Sequence, residues 1–252
     1  MTDGPSITES SNRSFYDVDS RTYDDQRWAT KGGAFTDRAQ QQILQSLCAD
    51  WNDQRVLEVG PGTARFTIPL LKKGNRMTLT DISPGMLATA RRNVEAVGLA
   101  DQVEAYVEQS VYELPFDDDT FDHAISLNVF NHLERPGDAL RQLARVIRPG
   151  STLLFNYANL CSYYWLAARR INKTKKAIGQ DVYSTWERPG DVRRMIDDAG
   201  LELVQMLGQV HVPRAMEKYH LGPLVCALDA LSRSGPFRNL APFHFCLCAK
   251  RS

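Results

Sequence analysis

The sequence predicts an α/β fold in which a mostly parallel sheet is covered by helices on both faces. Short apolar strands alternate with amphipathic helices between residues 55 and 156, and the first strand runs directly into the turn Gly60-Pro61-Gly62. Parallel strands need long crossovers, which are usually helices, so this alternation indicates a doubly wound sheet. The chain has 252 residues, of which 43% are hydrophobic. We therefore expect one elaborated domain.

The elements follow from apolar periodicity and from capping residues. The clearest helix is Ser83–Val97, with Ser83 as N-cap, Pro84 at the first helical position and Gly98 beyond its end. The other predicted helices are Thr36–Ala49 (with Thr36 as N-cap), Thr63–Lys73, Pro136–Ile147, Leu160–Arg170 and Asp191–Ala199. The predicted strands are Arg55–Val59, Arg76–Thr80, Val103–Val107, Phe121–Leu127, Ser151–Asn156, Leu201–Leu207 and Phe243–Ala249.

Composition narrows the classes of partner. The 30 basic and 30 acidic residues give no long-range attraction to nucleic acid or to an anionic membrane, which favours a small-molecule partner. Residues 1–14 are polar and serine-rich, and we expect a disordered leader before a single domain over 15–252. No apolar segment suits a signal peptide or a spanning helix, so we predict a cytoplasmic protein without stable membrane insertion. The sequence neither requires nor excludes a homodimer.

The five cysteines do not suggest a metal site. No two of them are spaced as C-x-x-C, and Cys246 and Cys248 point to one face of a predicted strand. We predict that both are buried thiols. The run Asp117-Asp118-Asp119 is typical of a solvated turn, and no metal ligands are assigned.

The strand, the turn at Gly60-Pro61-Gly62 and the following helix together predict a nucleotide site. Glycines allow a sharp turn and a close approach of the ligand. Asp81 ends the next predicted strand, where a carboxylate can accept hydrogen bonds from ribose hydroxyls. A dinucleotide fingerprint requires Gly or Ala at position 65, but the residue is Arg65. A nicotinamide-dependent oxidoreductase is therefore the weaker interpretation.

Four motifs in the correct order resemble those of class I S-adenosylmethionine-dependent methyltransferases, over Gln54–Asn156. They are Glu58-Val59-Gly60-Pro61-Gly62-Thr63-Ala64, Asp81-Ile82-Ser83-Pro84-Gly85-Met86-Leu87, Gln109-Ser110-Val111-Tyr112-Glu113-Leu114-Pro115-Phe116 and Arg145-Val146-Ile147-Arg148-Pro149-Gly150-Ser151. The sequence departs from the family pattern at Ala64, where a third glycine is usual, and at Ser110, where the family often places aspartate.

The resemblance implies a Rossmann-like, seven-stranded, mostly parallel sheet with an antiparallel last strand and helical lid insertions. It also implies S-adenosylmethionine as the cofactor. Glu58 would face the methionine ammonium group, Asp81 the ribose, and Asn128 the methionine portion. The remaining implied cofactor contacts are the backbone at Gly60 and Gly62, the adenine neighbours Ile82 and Met86, the adenine edge at Ser110 and the Val111 N–H, and Tyr23.

Three segments are predicted to converge on the ligand side of the sheet as a substrate lid, namely 15–35, 157–188 and 209–242. They are rich in aromatic residues, which suits an apolar or ring-bearing acceptor. The assigned substrate contacts are Tyr16, Tyr157, Trp165, Trp186 and His211. The alternative is that individual aromatic side chains only pack the lid onto the core.

His132 follows the fourth predicted strand and is the candidate general base for a hydroxyl acceptor, the alternative being a structural or substrate-contacting role. An amine acceptor needs only its neutral form. The sequence thus predicts a methyltransferase that modifies an oxygen or nitrogen of a small molecule. A non-catalytic, methyltransferase-like binding module is the second interpretation, motivated by Ala64 and Ser110.

Overall fold

A computed structural model describes residues 7–20, 22–167, 169–170, 173, 183–210, 222–233 and 235–251. The strands are β1 (Arg55–Val59), β2 (Arg76–Asp81), β3 (Val103–Glu108), β4 (Phe121–Ser126), β5 (Ile147–Ala158), β6 (Leu201–Gln209) and β7 (Phe243–Lys250). The helices are α1 (Ile7–Asp19), α2 (Tyr23–Arg27), α3 (Lys31–Leu47), α4 (Thr67–Leu71), α5 (Pro84–Ala96), α6 (Pro136–Val146), α7 (Pro189–Asp198) and α8 (Gly222–Arg233). Short 3₁₀ turns lie at Ala100–Gln102, Phe130–His132 and Pro236–Leu240.

The seven strands form one sheet in the order β3-β2-β1-β4-β5-β7-β6. Strands β1 to β5 pair in parallel, whereas β7 is antiparallel to both β5 and β6. The predicted fold class is therefore confirmed, including the antiparallel last strand. Strand order reverses between β1 and β4, and ligands of open α/β sheets bind outside the carboxyl ends of the strands at such a point.

Each face of the sheet carries its own hydrophobic core. One core joins α3, α4 and α5 to the sheet, and the other joins α6 and α7 to the opposite face. Cys246 and Cys248 are buried free thiols in the second core, which confirms their prediction. Because both faces are covered, the carboxyl edge of the sheet is where a ligand can reach the strand ends.

The boundaries of α5 are those that the capping residues predict. The side chain of Ser83 accepts a hydrogen bond from the Met86 N–H at 3.1 Å, and Gly98 beyond the helix has a φ of +73°. Two other boundaries differ. Helix α3 begins earlier than expected because Thr30, rather than Thr36, is the N-cap and accepts from the Gly33 N–H. Helix α4 is shorter than predicted because the chain continues to turn as far as Phe66.

Residues 7–14 were expected to belong to a disordered leader, and the structure describes them as the first part of α1. This helix is polar, so its composition resembles that of a leader, but its side chains find partners on the rest of the domain. Asn12 is buried and donates to the His132 carbonyl at 3.2 Å. Among the described residues, no helix is both long and apolar enough to cross a membrane.

Candidate active site

A cleft opens at the carboxyl edge of the sheet, beside the reversal between β1 and β4. The volume of the cleft, including the solvent at its opening, is about 960 Å³. Eleven of the residues assigned from sequence line it, and they come from four strand ends and from the N-terminal helices: Tyr16, Tyr23, Gly60, Gly62, Asp81, Ile82, Met86, Ser110, Val111, Asn128 and His132.

The floor of the cleft is the turn that follows β1. Gly60 and Gly62 have φ values of +75° and +55°, which glycine adopts at little cost. A Cβ on Gly60 would lie 2.2 Å from Val129 Cγ2, whereas a Cβ on Gly62 would meet nothing within 4 Å. Gly60 thus permits close packing of the protein, and Gly62 leaves open space on the ligand side. Ala64 also has a positive φ, +67°, although it carries a side chain.

Asp81 projects into the cleft from the end of β2. Its carboxylate accepts backbone N–H groups from Ser83, at 2.9 Å, and from Gly62 and Ile82. Burial raises the pKa of Asp81 to about 6, although these hydrogen bonds favour its ionised form. The backbone therefore holds an acceptor in a fixed orientation at the cleft wall, as ribose hydroxyls require.

Glu58 does not line the cleft but lies buried beneath its floor. One carboxylate oxygen, Oε2, accepts from the Thr67 hydroxyl at 2.6 Å, while Oε1 has no hydrogen-bond partner among the described residues. Burial raises its pKa to about 7, partly offset by the hydrogen bond from Thr67 and by the charge of Arg65. A buried carboxylate oxygen without a partner is costly, and a cationic group at the cleft floor would relieve that cost.

These features together fit S-adenosylmethionine. The unpartnered oxygen of Glu58 suits the methionine ammonium group, the space at Gly62 suits close approach of a ligand, and Asp81 suits the ribose. Met86 is buried and Ile82 half-buried beside Asp81, so both can flank a planar base. Ser110 and Val111 close the adjoining wall.

Asn128 stands at the far side of the glycine turn, after β4. It adopts a left-handed φ of +62°, which Asn tolerates better than most residues. Its backbone N–H donates to Asn156 Oδ1 at 2.6 Å, and its side-chain oxygen accepts from Asn156 Nδ2 at 3.0 Å. Two hydrogen bonds from one β5 side chain thus fix Asn128 at the cleft.

His132 closes the other end of the cleft and contacts Tyr16 on α1. Its Nδ1 lies 2.7 Å from the Tyr183 carbonyl oxygen, and a carbonyl can only accept, so Nδ1 carries a proton. In a neutral ring Nε2 is then an acceptor. It lies 3.0 Å from the Tyr16 hydroxyl and 2.9 Å from Asn131 Nδ2. The pair of Tyr16 and His132 therefore presents a hydroxyl hydrogen-bonded to a basic nitrogen.

The structure does not bring Tyr157 to the cleft. Its side chain is 2% exposed within β5, and its hydroxyl lies 2.7 Å from His244 Nδ1. His244 Nε2 in turn donates to the Arg238 carbonyl at 2.8 Å. This part of the assignment is corrected: Tyr157 points into the core because alternate residues of a strand face opposite sides of the sheet.

Trp165 and Trp186 also lie away from the cleft lining. Trp186 packs between Tyr164 and Phe243, with ring centroids 6.5 and 6.4 Å away, and Arg169 lies over the ring of Trp165. Trp165 thus packs within the segment after β5, and Trp186 packs between that segment and β7. His211 lies outside the residues that the structure describes.

Several residues that line the cleft were missed as ligand contacts, and two of them come from α1. Glu9 and Asn12 lie in the segment that was expected to be a leader, and Trp28 follows α2. Arg65 also lines the cleft, where it pairs with Asp37 at 2.5 Å and stacks 4.0 Å from the centroids of the Trp28 and Phe66 rings. An acidic residue in a polar helix gives no local signal of a site.

Comparison with known proteins agrees with this geometry. A family model described as a methyltransferase domain matches residues 57–155, which contain the glycine turn and strands β2 to β4. The ubiquinone/menaquinone biosynthesis C-methyltransferase UbiE of Paracoccus denitrificans is 33% identical over 150 residues, which cover 56% of this chain and 59% of that protein. The phosphatidylethanolamine N-methyltransferase of Cereibacter sphaeroides is 29% identical over 153 residues, covering 60% and 71%.

The matched region therefore spans less than two thirds of the UbiE relative. Among solved structures, magnesium protoporphyrin IX methyltransferase from Synechocystis PCC 6803, with bound S-adenosylhomocysteine, superposes with a TM-score of 0.64 at 17% identity. That likeness covers 95% of this chain and 98% of the other, and it shows a common fold. The comparisons thus show that residues 57–155 are similar to a methyltransferase domain and that the chain shares the fold of a solved methyltransferase.

Proposed function

We propose that this protein binds S-adenosylmethionine and transfers its methyl group to an oxygen or nitrogen atom of a small, apolar or ring-bearing acceptor. The main support for this proposal is that a single cleft combines buried carboxylates with a tyrosine–histidine pair. Asp81 and the buried Glu58 flank the glycine turn, and the Tyr16–His132 pair stands at the other end. When bound, the cofactor supplies a methyl carbon that its sulfonium charge has already activated.

The cofactor residues act by binding and orientation. Glu58 supplies a negative charge beneath the floor for the ammonium group, and Asp81 supplies acceptors for the ribose. Ile82 and Met86 offer apolar contact to the base. Holding the methyl donor in one orientation is itself catalytic, because in-line displacement requires the acceptor atom near the methyl carbon.

The lining of the acceptor end supports an apolar or ring-bearing acceptor. Tyr16, Tyr23 and Trp28 line the cleft, and the Tyr16 and Tyr23 ring centroids are 6.4 Å apart. Aromatic faces also attract a cation such as a sulfonium group. The balance of 30 basic and 30 acidic residues favours a small molecule over nucleic acid. The two curated relatives are named as a C- and an N-methyltransferase, so acceptors with a reactive carbon belong in the same screen.

We further propose that His132 is the general base for a hydroxyl acceptor and that Tyr16 relays the proton. With Nδ1 bonded to the Tyr183 carbonyl, Nε2 keeps the lone pair that accepts from Tyr16. As the acceptor oxygen attacks, its proton passes to the Tyr16 oxygen while the Tyr16 proton passes to Nε2. The charge then rests on the imidazolium, whose two N–H groups remain hydrogen-bonded.

We also propose that the segments 15–35, 157–188 and 209–242 form a substrate lid over the cleft. Segment 15–35 supplies the three aromatic residues named above, and segment 157–188 reaches the site through the carbonyl of Tyr183. We propose that Trp165 and Trp186 position that segment. The contribution of 209–242, including His211, stays a prediction.

The test combines turnover with cofactor affinity. A panel of phenols, amines and quinols is screened for methylated product by mass spectrometry, and the best acceptor is then used with His132→Ala and Tyr16→Phe. For a hydroxyl acceptor we expect His132→Ala to lower turnover by about 10² to 10⁴, with an unchanged Kd for S-adenosylhomocysteine. His123→Ala is the matched control, since His123 stacks on Trp51 away from the cleft. Wild-type turnover in His132→Ala would remove His132 from this role.

A further inference from the structure

We infer that Glu9 on α1 recognises the adenine amino group of the cofactor and makes the site specific for adenine over its deaminated form. The inference rests on the proposed function, because it concerns the same cofactor. It assigns a binding role to a residue outside the matched family region, 57–155. The cofactor site would then be completed by the N-terminal helix as well as by the strand ends.

Glu9 lies at the wall of the cleft, against Ser110. It is half-buried, it lines the cleft, and its Oε1 accepts a hydrogen bond from the hydroxyl of Ser110. Ser110 follows β3 and stands next to Val111, on the wall that adjoins Ile82 and Met86. If the adenine base lies between Ile82 and Met86, its edge faces this wall. The carboxylate of Glu9 therefore lies near that edge.

The hydroxyl proton of Ser110 is already engaged in a hydrogen bond. A serine hydroxyl has one proton, and here it is donated to Glu9, while the same oxygen accepts the Tyr112 N–H at 3.3 Å. Ser110 therefore cannot also donate to the base. A carboxylate has about four lone-pair sites, so Glu9 can accept from Ser110 and from a ligand donor at once.

A carboxylate at this wall is chemically complementary to adenine. The exocyclic amine of adenine is a donor, whereas the corresponding oxygen of hypoxanthine is an acceptor. An ionised carboxylate attracts the first and repels the second, and it bonds donors more strongly than a neutral acceptor does. The strand-end wall otherwise offers the N–H of Val111, which suits a ring nitrogen.

Helix α1 is held over the cleft independently of Glu9. Asp17 accepts the Gly85 N–H at 3.1 Å and the Ser83 hydroxyl, and Arg13 pairs with Glu108. On the other side Asn12 donates to the His132 carbonyl. These contacts anchor the helix on both sides of the cleft, so the placement of Glu9 does not depend on its own bond to Ser110.

The test measures binding rather than turnover. Calorimetry gives the Kd of S-adenosylhomocysteine and of S-inosylhomocysteine, in which the adenine amine is replaced by oxygen. We expect wild-type protein to prefer the adenine ligand. Glu9→Gln should weaken S-adenosylhomocysteine binding by about ten- to a hundredfold and should reduce the preference, because an amide can also donate to the oxygen.

Two further variants separate recognition from loosening of α1. Arg13→Gln breaks another contact of the same helix, and it should leave the ratio of the two Kd values unchanged. Glu9→Ala combined with Ser110→Asp moves the carboxylate onto the strand end, and it should restore most of the affinity and of the preference. If wild-type protein binds S-adenosylhomocysteine but Glu9→Gln and Glu9→Ala keep both the affinity and the ratio, the inference is wrong. If wild-type protein binds neither ligand, the proposed function itself has failed.

Discussion

The two ends of the cleft are built in different ways. At the cofactor end the backbone determines the site: a glycine turn after β1 and a carboxylate after β2, fixed by three backbone N–H groups. At the acceptor end side chains determine it, from α1, α2 and the turn after β4, and they meet across long separations in sequence. The hydroxyl of Tyr16 and the ring of His132 are 116 residues apart along the chain. The difference teaches that a fold can fix its cofactor locally while the acceptor site depends on long-range packing.

The largest expected effect on cofactor binding comes from a change at the cofactor end alone. Asp81→Ala should weaken S-adenosylhomocysteine binding by about a hundredfold or more, because two ribose hydroxyls lose a charged acceptor. The Kd from calorimetry is the measurement. Asp122→Asn is the matched control: Asp122 lies at the opposite end of β4, where it accepts from the Arg55 N–H and pairs with Arg148. An unchanged Kd in Asp81→Ala would remove Asp81 from the ribose site.

The glycine turn offers a pair of reciprocal changes. Gly62→Ala places a methyl group in the open space of the cleft, and it should weaken binding about tenfold or more while costing about 1 kcal/mol of stability. Ala64→Gly relieves the left-handed strain at a buried neighbouring position, so it should stabilise the fold by up to about 1 kcal/mol and leave the Kd unchanged. Thermal melts and calorimetry separate the two effects. Equal binding losses in both variants would mean that the turn acts only through its conformation.

The buried carboxyl of Glu58 should make cofactor binding depend on pH. Its pKa is raised by burial from 4.5 to about 7, so at pH 6 the carboxyl is mostly protonated in the free protein. A cationic ligand needs the ionised form, so wild-type affinity for S-adenosylhomocysteine should rise about tenfold between pH 6 and pH 8. Asp81, whose pKa is about 6, contributes in the same direction.

In Glu58→Gln the affinity should be lower at pH 8 and the slope with pH should flatten. The stability of the ligand-free protein should depend on pH in the opposite direction. Because the pKa of Glu58 is raised in the folded state, the protein loses stability as pH rises from 4.5 to about 7. Glu58→Gln should therefore melt higher than wild type at pH 8 without ligand, by on the order of 2 kcal/mol in stability. An unaltered pH slope in this variant would show that another group governs it.

The smallest expected effect on binding comes from the corrected residue. Tyr157→Phe removes the hydroxyl bonded to His244 and should cost about 1 kcal/mol of stability, because His244 loses a buried donor. Turnover and the Kd for S-adenosylhomocysteine should stay at wild-type values. Denaturant unfolding and calorimetry on the same sample make the comparison. A large loss of affinity for the acceptor in Tyr157→Phe would show that Tyr157 does contact the substrate.

Much of the fold and most of the cofactor end could be predicted from the sequence. Glycines at 60 and 62, Asp81, and the capped helix at Ser83 are local features whose spacing reflects the strand–turn–helix unit that they build. The structure that these residues form depends on few contacts outside that unit. Helix α1 was not predicted, because a polar helix that forms long-range hydrogen bonds has the composition of a disordered segment.

The acceptor end was harder to predict for a related reason. Tyr16, Tyr157, Trp165 and Trp186 are all aromatic residues in segments that surround the same edge of the sheet. Which of them reaches the cleft depends on strand register and on packing between segments, and only Tyr16 lines it. Residue type alone could not separate the cleft tyrosine from the core tyrosine at 157.

The central claim is that this cleft is built for S-adenosylmethionine and not for a dinucleotide. Isothermal titration of the full chain with S-adenosylhomocysteine and, separately, with NAD tests it most directly. We expect one S-adenosylhomocysteine bound per chain, with an affinity about a hundredfold or more lower in Asp81→Ala, and no binding of NAD. Binding of NAD, or failure to bind S-adenosylhomocysteine by protein that melts cooperatively, would contradict it.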